Sequence, residues 1–170
     1  LPNVVLKPNN LYVVICSDSN TGFALNSTSD NLFLYNKSGV LIDSVHLENI
    51  PYGCSYGRMD FEENFYYFTK PTPLAKNASG VRGISSEAIS SFTSGVYNIK
   101  SLTIELSAKG NIYYTTDGTE PTQKWPVYSK PITIKNNTVI RTLVYEKDKL
   151  PSRITTYSYI FNPDTTLPVL

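Results

Sequence analysis

The stretch NIYYTTDGTEPTQKWPVYSKPITI, residues 111–134, decides the reading of the chain. It opens on a strand-like run rich in tyrosine and threonine, breaks at Asp117-Gly118, and resumes as VYSKPITI. An Asp-Gly pair marks a turn, because Gly takes a positive φ freely while Asp bonds the backbone two residues on. Glu120 precedes Pro121, which forces extended backbone on it and directs its carboxylate to solvent. Asp117 and Glu120 stand three positions apart, so a reactive pair has to be weighed. A glycosidase pair needs carboxylates facing each other across a sugar, one of them raised in pKa by burial, and no apolar wall encloses these two. A calcium loop needs oxygen ligands at alternating positions and a terminal bidentate Glu, where DGTEPTQK offers two acids and a proline. The turn is the reading adopted, with Asp117 and Gly118 as structural residues.

Working outward, the same texture recurs. LYVVIC, LFLYN, VLIDSVHL and FYYF are short apolar runs parted by SDSNTG, NKSG and IPYG, the pattern of strands and tight turns. In SLTIELS, Leu102, Ile104 and Leu106 alternate with Thr103 and Glu105, as in a strand with one wet face. TVIRTLVYE and RITTYSYIF follow, and no window carries helical periodicity free of Pro, Gly or β-branched runs. The expected class is all-β. Apolar runs lapse in KPTPLAKNASGVRG, which reads as a linker, so the chain divides into two tandem immunoglobulin-like β-sandwiches, residues 1–77 and 88–160, joined by 78–87.

The totals exclude more than they assign. Over 170 residues, 15 basic side chains face 14 acidic ones, so no field favours nucleic acid as a partner. No apolar run is long enough for a membrane span. Cys16 and Cys54 lack metal-ligand spacing; one bridge is open to them, but Cys16 ends an apolar run, and two unpaired thiols are favoured. His46 in DSVHLEN has no nucleophile or second histidine at useful spacing and reads as a strand-edge residue. Arg58 in SYGR lacks the Gly-rich loop of a phosphate site and reads as an exposed strand end. Trp125, with Tyr113, Tyr128 and Tyr97, admits two readings: a platform stacking on sugars, or packing in a core or interface, with packing favoured. An exposed Trp125 beside a second ring would favour sugar, and a buried one scaffold. The NST, NKS, NAS and NNT triplets, beginning at Asn26, Asn36, Asn77 and Asn136, matter only in a eukaryotic secretory pathway. No catalytic, cofactor or metal constellation emerges.

The series IYYTTDGTEPT, VYSKPITI and TVIR over residues 88–160 resembles the β-sandwich module found at the C-terminus of chitobiases and β-hexosaminidases. That resemblance implies an appended immunoglobulin-like module and no hydrolase activity. The first half, with LFLYNKSGVLIDSV, SYGR and KPTPLAKN, resembles the lamin-tail immunoglobulin-like domain. It departs from that pattern where the opening strands with an acidic-aromatic run should stand, which implies an N-terminally incomplete domain. The tandem, followed by FNPDTTLPVL at 161–170, resembles the front of secreted bacterial proteins that continue into a CotH spore-coat kinase-like domain. The resemblance implies a spacer, docking or adhesion part on a cell or spore surface. Its partners would be the CotH-type domain and other surface or coat proteins or glycans, with a carbohydrate-binding accessory as the alternative.

Overall fold

A computed structural model of the chain describes residues 5–26, 28–60 and 62–161. Among them there is no helix, and the class is all-β. The chain divides into two compact units, Leu1–Arg82 and Gly83–Leu170. The lead-in 161–170 lies, past Phe161, outside the described residues.

The first unit is built from two hairpins. β1 (Ser29–Tyr35) pairs antiparallel with β2 (Leu41–Glu48), and β3 (Ser55–Arg58) with β4 (Phe65–Phe68). The first hairpin turns where the Asn36 side chain accepts from the Ser38 and Val40 amides, both at 2.9 Å, replacing bonds the reversing backbone gives up. Arg58 is no exposed strand end. Its guanidinium donates twice to Asp43 of β2, at 2.7 and 2.8 Å, lies 4.2 Å from the Phe65 ring centroid and reaches the Glu63 carbonyl, tying one hairpin to the other. LYVVIC departs from its reading as a strand. Leu11–Cys16 has no ladder partner among the described residues, and Val14 and Cys16 instead border an open apolar cleft of about 240 Å³ with Phe23, Leu32 and Val45. An apolar run makes a strand only where another backbone supplies its hydrogen bonds. Cys16 and Cys54 are both free thiols, half-buried. His46 sits on β2 with Nδ1 2.8 Å from the Asn31 amide oxygen on β1.

The second unit closes around a core. Its strands are β5 (Ile89–Ser90), β6 (Gly95–Tyr97), β7 (Leu102–Ile104), β8 (Leu106–Ser107), β9 (Asn111–Thr115), β10 (Ile132–Ile134), β11 (Thr138–Tyr145) and β12 (Thr155–Phe161). A four-stranded sheet runs β6-β12-β11-β9, and the short pairs β7-β10 and β5-β8 complete the fold. Leu102, Ile104, Leu106 and Ile134 from the short pairs meet Ile112, Ile140, Val144, Tyr159 and Phe161 from the sheet in one buried cluster that includes Ala88. The alternation of SLTIELS is realised: Leu102, Ile104 and Leu106 are buried, Thr103 and Glu105 exposed. The segment assigned to the linker, 78–87, is itself bonded. Val81 exchanges backbone hydrogen bonds with Tyr67 in the first unit, at 2.8 and 2.9 Å, while Gly83 and Ser85 bond Leu150 in the second, both at 2.8 Å.

Candidate functional site

The stretch 111–134 supplies the candidate site, and its geometry starts at the turn after β9. Gly118 has φ +81°, in the region where a Cβ is strained. The Asp117 carboxylate accepts the Thr119 hydroxyl at 2.7 Å and the Thr119 amide at 3.0 Å. These two bonds, the hydroxyl first, hold the Asp117 carboxyl below the ordinary carboxylate range. The Thr115 hydroxyl crosses the loop to the Thr119 carbonyl at 2.6 Å. From β11, Arg141 donates to the Gly118 carbonyl at 3.2 Å and to Glu120 Oε1 at 3.1 Å. Pro121 is fully buried behind them.

Each acid therefore has a local structural partner: Asp117 closes its own turn, and Glu120 anchors Arg141. A general acid needs the opposite environment, one that raises a carboxyl's pKa by removing it from water and from donors. The role of Arg141 was hidden from sequence reasoning because it lies 21 residues from Glu120 along the chain. The signal that could have found it is the TVIR run itself: with Ile140 facing the core, strand alternation turns Arg141 outward.

The aromatic residues do not form a shared platform. Trp125 is 41% exposed, next to an open cleft of about 210 Å³ lined by Tyr114, Thr115, Thr116, Asp117, Trp125 and Pro126. Tyr128 packs against the core with its hydroxyl accepting the Leu106 amide at 3.1 Å, and its ring meets that of Tyr114 edge-on at 6.0 Å. Tyr113 lies on the face of β9 opposite Tyr114 and packs edge-on against Tyr145 at 5.6 Å. Tyr97 belongs to β6, at the other edge of the sheet from β9, and its hydroxyl donates to the Thr93 carbonyl at 2.6 Å. The ring that shares the cleft with Trp125 is that of Tyr114, which itself packs toward the core. Strand alternation carries the reason: with Ile112 inward, Tyr114 shares its face and Tyr113 does not.

A family model described as Fn3 associated matches residues 102–159, from the start of β7 to Tyr159 within β12. The second unit is thus similar to a β-rich module of the kind associated with fibronectin type III domains. Neither the curated proteins nor the solved structures hold a match to the chain.

Proposed function

We propose that the chain is a non-catalytic pair of β-sandwich modules serving as a spacer and docking part of a secreted bacterial protein displayed on a cell or spore surface. The observation that carries this reading is the path of the chain through the second unit. It enters at Gly83–Ser85, held to Leu150 just ahead of β12, and leaves at the far end of β12, with β6 running parallel beside that strand. Entry and exit lie at opposite ends of a strand roughly 20 Å long at about 3.3 Å per residue. A module of that geometry adds length between whatever precedes and follows it. The Fn3-associated similarity supports an accessory role, and the chitobiase-type and lamin-tail resemblances extend it to a CotH-type neighbour as the adjoining partner. Asp117 and Glu120, as structural residues, support the absence of catalysis.

A second reading, a carbohydrate-binding accessory, rests on Trp125, which is exposed and shares its cleft with Tyr114, the arrangement that favours sugar over a buried scaffold role. Its half-open indole borders a cleft with the Asp117 carboxylate and the Thr116 residue, and an apolar ring beside polar groups suits a pyranose. Titration calorimetry of the chain with chitin, cellulose and peptidoglycan fragments separates the two. The spacer reading expects no saturable heat. Saturable binding that Trp125→Ala abolishes overturns it, because a single anchor then dominates the affinity.

A further inference from the structure

The same chain path has a mechanical consequence. From Glu87 onward the entering segment runs alongside β12 in the same direction, and each successive residue on one face of β12 takes hold of it. The Thr155 hydroxyl donates to Glu87 Oε2 at 3.0 Å. The Tyr157 hydroxyl donates to the Ala88 carbonyl at 2.6 Å. The Tyr159 hydroxyl donates to the Phe92 carbonyl at 3.0 Å and lies 2.8 Å from the Ser90 hydroxyl. The Ser158 amide then donates to the Ser94 hydroxyl at 3.0 Å, and the ladder closes as Tyr159, Ile160 and Phe161 pair with Gly95, Val96 and Tyr97. At the exit end, the Phe161 amide is held by the Asn137 side chain at 2.7 Å. At the entry end, Glu146 accepts the Ser86 amide at 2.7 Å and the Ser86 hydroxyl at 2.9 Å.

We propose that this seam between residues 85–97 and β12 is a shear clamp, and that the second unit carries tension transmitted along the chain. Pulling the entry and exit apart slides two parallel, hydrogen-bonded segments in opposite senses. The bonds lie across the pull, so the load is shared among them and they fail together. A hairpin pulled from its open end loses its bonds one pair at a time. Forced unfolding is governed by the barrier to unfolding rather than by equilibrium stability, so the direction of pull selects which barrier is met. The β11-β12 pair provides the contrast within the same unit: its strands are antiparallel, with Thr138 opposite Tyr159, so a pull between Asn136 and Ile160 unzips it. The inference rests on the spacer reading for its biological use and on the seam alone for its mechanics.

Single-molecule pulling of the full chain tests it. One set of handles sits at the two chain ends, and a second at Asn136→Cys and Ile160→Cys, Ile160 being exposed, in a Cys16→Ser, Cys54→Ser background. Unfolding of the second unit is recognised by its length gain, on the order of 250 Å in the end-to-end pull for the residues from Gly83 to Phe161, and about 80 Å between the internal handles, where only the enclosed residues extend. The higher force is expected from the end-to-end pull. The double variant Tyr157→Phe, Tyr159→Phe keeps both rings and removes their hydroxyl bonds; it should lower the end-to-end force and leave the Asn136–Ile160 force unchanged. Ser94→Ala, a milder change outside the core, should lower the end-to-end force less. Equal forces in the two directions, or an end-to-end force indifferent to the hydroxyls, overturn the clamp. Such a result leaves the spacer reading standing, whereas glycan binding at Trp125 removes the spacer reading without touching the force asymmetry.

Discussion

The two units use the same alternating vocabulary and reach different degrees of closure. In the second, Ile104, Ile140 and Val144 are wholly buried between the four-stranded sheet and the short pairs. In the first, among the described residues, Tyr66 and Phe68 are the buried apolar side chains, while Phe33, Leu34, Tyr35, Leu41 and Ile42 of the β1-β2 hairpin are exposed. Two-stranded hairpins are marginal without something to cover a face. What joins the hairpins of the first unit is polar: the Arg58 fork on Asp43 and the Tyr67 hydroxyl donating to the Glu48 carbonyl at 3.4 Å. Arg58 over Phe65 and the Asn77 amide donating to the Arg58 carbonyl at 2.6 Å steady Arg58 on its own hairpin. Patterning makes strands in both units, but burial between layers is what gives the second its core.

That contrast is sharpest at the centre of the second unit. Ile140→Ala removes a wholly buried side chain from a packed cluster, and such truncations cost about 2–5 kcal/mol. The chain holds one tryptophan, Trp125, in the second unit, so urea unfolding followed by its fluorescence reports that unit. A midpoint indifferent to Ile140→Ala would mean the cluster is not the source of stability.

The Asp117-Gly118 turn provides a middle-sized effect. Gly118 at φ +81° would carry a Cβ 3.7 Å from the Val139 side chain, an ordinary contact, so the obstacle is backbone conformation rather than space. Gly118→Val should destabilise the second unit by about 1–2 kcal/mol, the cost of a left-handed backbone to an L-residue. Gly118→Ala should cost less, because Ala lacks β-branching, and the order Gly, Ala, Val in melting temperature checks the cause.

How much of this was legible follows from how local each signal is. Strand alternation in Leu102–Leu106 and the Asp-Gly turn are read within a few residues, where pleat and φ impose their own pattern. LYVVIC carried the same apolar signal and forms no strand, because a ladder depends on a partner that its own residues do not specify. The Arg141–Glu120 pair, the Arg58–Asp43 fork and the tyrosine hydroxyls of β12 join segments 15 to 69 residues apart. No spacing rule links such positions. At the aromatic site, residue types pointed to Trp125, but which tyrosines accompany it depended on the face each takes along β9 and on the packing of Tyr128.

Acid should reach the second unit through Glu146. Its carboxyl is lowered from 4.5 to about 2, first by the Lys149 ammonium that donates to it at 2.6 Å and then by the Ser86 amide. A folded pKa below the unfolded one stabilises the fold fully above about pH 4.5, and that contribution is lost as pH falls toward 2. Glu146→Gln should therefore lower stability at neutral pH and flatten the acid side of the Trp125 unfolding profile between those values, with the two proteins converging near pH 2. In the first unit, the Arg58 fork likewise holds the Asp43 carboxyl below its ordinary range. That pair is more exposed, so added salt should weaken it more than it weakens Glu146.

The smallest effect is expected where the first unit shows its apolar face. Leu34 and Phe33 lie on β1 at 46% and 58% exposure, so shortening either removes little surface from the protein's own packing. Leu34→Ala should change stability by less than about 0.5 kcal/mol, the range of substitutions away from buried contacts. Hydrogen exchange at the β1-β2 amides reads this locally, since the Leu32–Val45 and Leu34–Asp43 pairings bracket the site. If Leu34→Ala speeds exchange there as strongly as Ile140→Ala does in β11, the hairpin is covered in solution and the contrast between the units fails at its weaker side. If exchange is unchanged, backbone pairing and the Arg58 fork hold the hairpin without its apolar face, and that face can be altered without cost to the fold.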